Sequence, residues 1–485
     1  MTITPRHFIV LGLAALLAGC AMGPRYKRAA VETPPQYKEI SGWKRAEPGA
    51  VDDQGLSWSL YKDPLLDDLE AQVIVSNQNL KAAEAAYRQA RATLAETRAS
   101  LFPTLSAGLS GERTSGNSRS NVSLTGNPTV SSSARNQYDL SGEASWEIDV
   151  WGRIRRSIEA SRAEANASAA DLAEARLSAQ AALASAYMSL RMADDQDRVL
   201  KTLVDAQARA LQIAKNRYGV GVAGEADILS AKTQLEGTQA QEVNIGATRA
   251  SLEHAIAVLV GKPPASFSID AAELALAVPE IPVGLPSELL ERRPDISAAE
   301  RRMAAANANI GVAETAFFPS LTLTGSGDYI SRSFGTLLSA ANPAWGLGAS
   351  AAQTIFTGGA RIAELHGARA SYDQAVATYR QTVLTAFQQV EDNLSSGQTL
   401  ARQAEIEDAR VSDARNAERI VLNEYKAGTA DFTAVITAQS QRLNAEIERL
   451  SVIQSRLTTS VSLIQALGGG WTAPATPGHV ASNRL

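Results

Sequence analysis

The chain has 485 residues with 46 Lys and Arg against 51 Asp and Glu, a formal net charge of -5. This leaves no basic footprint and excludes nucleic acid as a partner. Hydrophobic residues reach 45% but aromatics only 5%, the profile of close-packed, alanine-rich helices rather than of a thick globular core.

The segment FIVLGLAALLAGC follows Arg6 and His7 and is too short to cross a bilayer of about 30 Å as a helix. Residues 1–19 therefore read as a secretory signal peptide. The one cysteine, Cys20, excludes an internal disulfide. Its place after Leu17-Ala18-Gly19 resembles the lipobox of bacterial lipoproteins, where the thiol is acylated and becomes the mature N-terminus. The alternative is a small buried hydrophobe, for which a free N-terminal segment offers no core. Ala21, in place of aspartate, favours the outer membrane. Residues 20–64 carry Pro24, Pro34, Pro35, Pro48 and Pro64 without periodicity, the pattern of a lipidated, extended arm.

A first repeat spans 65–262. Apolar positions at Leu69, Val73, Leu80, Ala83 and Tyr87 predict one helix from Leu65 to about Ser100, ended by Phe102-Pro103. Two stretches of period 2 follow in a β-hairpin at about 103–151. In YDLSGEASWEIDVW, Leu140, Trp146 and Ile148 alternate with Asp139, Glu143, Glu147 and Asp149, and TLSAGLSGE alternates likewise. The Ser-, Asn- and Gly-rich stretch between them reads as a polar loop. A helix from Gly152 to about Tyr218, free of internal proline and glycine, predicts a rod on the order of 100 Å. It breaks at Tyr218-Gly219-Val220-Gly221, turns over a tip at about 218–226, and continues to Leu259.

A proline-rich connector at 263–286 leads into a second repeat at 287–470. Phe318-Pro319 stands 216 positions after Phe102-Pro103, a second β-hairpin falls at about 319–357, and the tip recurs at about 425–433. Tyr218 and Tyr425, Gly221 and Gly428, Ala231 and Ala438 all coincide at an offset of 207. Residues 471–485 read as a flexible tail.

Four strands cannot close a barrel, and spanning barrels start at about eight strands. Three copies would supply twelve, with Leu140, Trp146 and Ile148 facing lipid and Asp139, Glu143, Glu147 and Asp149 lining a wet lumen. The competing readings are a half-buried soluble sheet and a solvent-exposed coiled-coil stalk.

The stretches GCAMGPRY, WSLYKDPLLDDLEAQVIVSNQNL and GLPSELLERRPDISAAERRMAAANANIGVAETAFFPSL, with the paired Tyr-x-x-Gly breaks, resemble the TolC-type outer-membrane efflux proteins, in particular their lipoprotein (NodT-like) branch. The resemblance runs from the lipobox to about Gly470. It implies an α+β membrane protein of two tandem repeats, each helix, strand, strand, long helix, helix. These trimerise into a 12-stranded β-barrel continuous with a long α-helical barrel. It also implies a lipid-anchored homotrimer in the outer membrane of a Gram-negative bacterium, extending into the periplasm, with a periplasmic adaptor and an inner-membrane proton-driven pump as partners.

The function implied is a passive duct exporting small compounds such as drugs or toxic organics. The alternatives are a duct for type I protein secretion and a non-conducting structural envelope lipoprotein. On this reading Tyr218, Gly221, Tyr425 and Gly428 form the periplasmic tip and adaptor-docking turns, and Asp227, Tyr425 and Asp431 are gate candidates. Ala430 and Ala434 stand where some members carry an arginine and an aspartate. No Walker loop, Gly-x-Ser-x-Gly or cluster of metal ligands occurs. His7, His254, His366 and His479 are scattered, and Met188 and Met192 share a helix face as core residues do. The expectation is no enzyme, no metal and no cofactor beyond the covalent lipid on Cys20.

Overall fold

The computed structural model describes residues 22–41, 58–118, 131–274, 277–281, 283, 286–288, 292–339 and 343–471. The signal peptide, Cys20 and nearly all of the expected tail lie outside the described residues, as do 42–57 of the arm. The chain divides into two compact units, one of Met1–Ala29, Arg88–Asn166 and Arg301–Ala377, the other of Ala30–Tyr87, Ala167–Glu300 and Thr378–Leu485.

The first unit holds a four-stranded antiparallel sheet in chain order, of β1 (Thr104–Ser118), β2 (Ser131–Ile148), β3 (Ser320–Ser331) and β4 (Pro343–Ala352). Register turns four separate alternations into two continuous faces. Leu140 lies opposite Leu109 on β1 and Tyr329 on β3, Trp146 opposite Leu323, Ile148 opposite Leu321, and Gly325 opposite Leu347. On the other face Glu143 sits between Ser106 and Ser326, Asp139 opposite Ser110, and Glu147 opposite Thr322. β1 and β4 each leave one edge without a strand partner among the described residues. β1 and β2 run on through Ser115–Ser118 and Ser131–Ala134, where polar composition predicts loop. The backbone ladder needs no apolar alternation to propagate, and 15 residues of β1 extend about 50 Å, more than the hydrocarbon layer requires.

The helices are α1 (Pro64–Ser76), α2 (Gln78–Ala99), α3 (Arg153–Gly219), α4 (Glu225–Leu259), α5 (Pro294–Thr315), α6 (Ala360–Ala427) and α7 (Phe432–Ala466). Ala, Leu, Glu, Gln and Arg dominate them, the residues that lose least on entering a helix. The single helix expected from Leu65 to Ser100 is two. Asn77, at φ -61 and ψ 125, leaves the helical region, and its Oδ1 accepts from Leu80 N at 3.0 Å, capping α2. Asp63 caps α1 in the same way, accepting from Leu65 N and Leu66 N, with Pro64 in the first turn.

In the second unit the repeats close by one device. Asn77 Nδ2 donates to the carbonyl of Leu259, the last residue of α4, at 2.8 Å. Arg293 Nη1 donates to that of Ala466, the last of α7, at 3.0 Å. Gly261 and Gly468 follow with φ of 71° and 93°. A Cβ at either would lie 2.3 or 2.1 Å from the carbonyl oxygen of Ser76 or Arg292, so both positions need glycine for left-handed backbone and for close approach.

α4 and α7 have 35 residues each, but four are buried in α4 and fifteen in α7. α7 packs Leu443 on Leu200 and Leu203 of α3, and Arg442 bridges Glu418 at 2.7 Å and Glu446 at 3.0 Å. α1 buries Glu70, 4% exposed. Burial pushes its carboxyl up to about 9, with Gln180 opposing the shift and Asp67 adding to it.

Candidate functional site at the helical hairpin tips

α3 ends in a left-handed glycine turn. Gly221, at φ 76°, donates to Tyr218 O at 2.9 Å, and Val222 N donates to Arg217 O at 3.0 Å. α6 ends identically: Gly428 at φ 82° donates to Tyr425 O at 3.1 Å, and Thr429 N to Glu424 O at 3.0 Å. This paired hydrogen bond satisfies carbonyls that a helix end leaves open.

The surfaces differ. Tyr218 is 49% exposed and is flanked by exposed Val220 and Val222, a contact surface of the kind expected at a docking tip. Tyr425, expected beside it in that role, is 2% exposed and so unavailable as a surface contact within this chain. It packs with Phe432, at 5.2 Å between ring centroids, in a cluster with Ala210, Ala214, Ala231 and Val435. Tertiary packing draws its amphipathic ring inward, because the small side chains of α3 and α4 leave room for it.

Above the Tyr425 ring lies Arg217, its guanidinium carbon 4.6 Å from the centroid, while Nη1 donates to Tyr425 O at 2.7 Å. One arginine from the first tip thus caps the α6 terminus and stacks on its tyrosine. Sequence reasoning missed Arg217. The available signal is its position, equivalent at the 207 offset to Glu424, so the two tips carry opposite charges there.

Asp227 is half-buried in the first turn of α4. Burial and its nearby carboxylate raise the Tyr425 hydroxyl, and Arg217 opposes this. Tyr425 Oη and Arg217 Nε are buried without a hydrogen-bond partner among the described residues. The gate candidates Asp227 and Tyr425 therefore come together, with Arg217 between the tips. Asp431 is an N-cap: its Oδ1 accepts from Ala434 N at 2.8 Å at the start of α7. Gly224 holds the equivalent place before α4, with no side-chain cap.

Among the expected lumen residues, Asp139, Glu143 and Glu147 share the polar face of the sheet. Glu147 is already paired, with Arg153 at 2.7 Å. Asp149 departs from the expectation: it lies beyond the end of β2, and its carboxylate accepts from Ile154 N, Arg155 N and the Arg155 guanidinium. The alternation of YDLSGEASWEIDVW runs past the strand, and the carboxylate there stabilises the helix start. Among the described residues no group of three His, Cys, Asp or Glu could hold a metal, and no helix is long and apolar enough to cross a membrane.

A two-faced antiparallel sheet joined to long helices in a duplicated chain is the fold of an outer-membrane channel. The chain belongs to the outer membrane efflux protein family, whose model matches residues 69–262 and 285–469. It is 29% identical over 479 residues to the toluene efflux pump outer membrane protein TtgF of Pseudomonas putida, covering 96% of this chain and 97% of that one. Identity is 30% over 469 residues to the antibiotic efflux pump outer membrane protein ArpC of Pseudomonas putida, 94% of each. The structure resembles the outer-membrane channel OprN with TM-score 0.84 and 30% identity, over 93% of this chain and 100% of that chain. The chain is an outer-membrane efflux protein, located in the outer membrane.

Proposed function

We propose that three copies of this chain close a 12-stranded barrel and form a passive duct, through which an inner-membrane pump and a periplasmic adaptor discharge small apolar or amphipathic compounds. The observation that carries this is the register of the sheet, which places Leu109, Leu140, Trp146, Leu323 and Trp345 on one face and Ser106, Asp139, Glu143, Glu147 and Thr322 on the other, while leaving both edges unpaired among the described residues. Open edges are not tolerated in lipid, so identical neighbours must cover them. Relatives named for toluene and antibiotic efflux support small organic cargo. Energy for transport belongs to the partner, and acylation of Cys20 holds the duct in the outer membrane.

The tip surface of Tyr218, Val220 and Val222 is the docking contact, and the Arg217–Tyr425–Asp227 cluster holds the tips together in the resting duct. Native mass measurement of the detergent-solubilised protein tests the assembly and is expected to give a trimer; a stable monomer overturns it. Arg217→Gln is expected to raise the conductance of the purified duct in a planar bilayer several-fold, and an unchanged conductance removes Arg217 from the gate. Deletion of the gene is expected to sensitise cells to organic solvents and antibiotics, with protein secretion intact.

A further inference from the structure

A cavity of about 360 Å³ opens in the second unit, where the connector at 278–281 passes α6 at Gly397–Ala401 and α7 at Arg456–Ser460. Its size lies at the small end of the range for small-molecule sites. The sequence shapes the connector wall: in Val278-Pro279-Glu280-Ile281-Pro282 the residue before each proline is steered towards extended backbone. Residues 278–281 belong to no helix or strand, and none of their backbone N–H or C=O groups bonds to another described residue. α6 contributes Gly397, which in a helix interior costs about 1 kcal/mol relative to alanine and leaves that wall without a side chain.

The polar side chains of the cavity divide into two sets. Gln398 and Ser460 are committed: Gln398 Nε2 donates to Glu39 O at 3.0 Å and to Ser41 O, while Ser460 Oγ meets Tyr61 Oη at 2.6 Å and donates to Leu457 O at 2.6 Å. Arg456, Thr459 and Glu280 are not, since their side chains have no hydrogen-bond or ion-pair partner among the described residues. Arg456 and Thr459 are half-buried and Glu280 is exposed. A guanidinium and a carboxylate thus line one cavity without pairing with each other, beside an apolar wall of Val278, Pro279, Ile281 and Ala401. A partly desolvated guanidinium is matched best by a carboxylate, which it binds through two parallel N–H donors.

We infer that this cavity is a binding site for a short zwitterionic peptide, with its α-carboxylate on Arg456 and Thr459, its α-ammonium on Glu280 and its apolar side chains against Val278, Ile281 and Ala401. A ligand with one charge alone leaves the other lining charge unanswered. A single amino acid leaves the backbone groups of the connector unpaired, whereas an extended peptide pairs with them as an added strand does. Occupancy joins the connector to both helices of the second repeat.

The test is binding of the dipeptide Leu-Leu to the purified, detergent-solubilised full-length protein, followed by saturation-transfer NMR. Saturable binding is expected, with N-acetyl-Leu-Leu, Leu-Leu amide and free leucine each at least about tenfold weaker, because each lacks one charge-assisted contact or the backbone pairing. Arg456→Gln is expected to weaken Leu-Leu at least about tenfold and to abolish its advantage over the amide. Glu280→Gln is expected to abolish the advantage over the acetylated form. Circular dichroism shows which variants have folded. A photo-leucine form of Leu-Leu is expected to crosslink the wild-type protein on peptides covering 278–281, 397–401 and 456–460, which locates the site even if no variant folds. No saturable binding below about 10 mM, equal affinity for free and blocked peptides, folded variants that bind as the wild type does, or crosslinks confined to other peptides would each overturn the site.

Discussion

The turn at Tyr218–Gly221 and the turn at Tyr425–Gly428 make the same two hydrogen bonds over a left-handed glycine, yet one tyrosine is half exposed and the other buried. Duplication copied the backbone rule, which depends on glycine and on helix ends. It did not preserve the surfaces, because α7 packs into its unit while α4 lies largely exposed on its own. Under the proposed function, the repeat keeps one local grammar and divides two tasks, contact at the first tip and closure at the second.

The sharpest way to break this comparison is to truncate both tyrosines. Tyr425→Ala removes a fully buried ring and is expected to destabilise its tip by roughly 3–5 kcal/mol. Tyr218→Ala is expected to cost less than about 1 kcal/mol. Amide hydrogen exchange at 418–436 and at 211–229 reads the two effects, and equal costs would deny the asymmetry.

A second contrast concerns α1, which carries Glu70. Below about pH 4.5 the carboxyl is protonated whether the chain is folded or not. Between there and about 9 the unfolded chain gives up the proton and the folded chain keeps it. Stability therefore falls as pH rises through that window, by up to about 1.4 kcal/mol per unit. Glu70→Gln is expected to flatten the dependence and raise the thermal midpoint at about pH 8 while leaving it unchanged at about pH 4, measured by circular dichroism.

Where the backbones agree, the mutations should agree. Gly221→Ala and Gly428→Ala each place a side chain at positive φ with nothing closer than 3.8 Å around it, so each is expected to cost about 1–2 kcal/mol from backbone strain alone. Hydrogen exchange at the two turns checks whether the costs match. A further small effect is at the helix break. Asn77→Ala, which loses the cap of α2, is expected to cost about 1 kcal/mol, visible as faster exchange at residues 78–81.

Much of the architecture is legible in the sequence because it follows from periodicity. The offset of 207, the two long helices and the two faces of the sheet follow from spacing alone. The break at Asn77 is not legible, since Ser76-Asn77 interrupts an apolar stripe that continues on both sides, and the competing partner, Leu259 O, lies 182 positions away. Arg217 escapes notice for the same reason: its partner is 208 positions distant. Asp149 reads as a lumen residue because an alternating pattern does not mark where a strand ends, and the capping bond of Asp431 is visible only once the start of α7 is fixed.

The central claim is that one face of the sheet meets water inside a pore and the other meets lipid. Single cysteines placed in turn at positions 139 to 146 of β2, treated in intact cells with a membrane-impermeant thiol reagent, test it most directly. Reaction at 139, 141, 143 and 145 with silence at 140, 142, 144 and 146 is the predicted result. Equal reaction at odd and even positions would mean a sheet bathed in water on both sides, and would contradict the account.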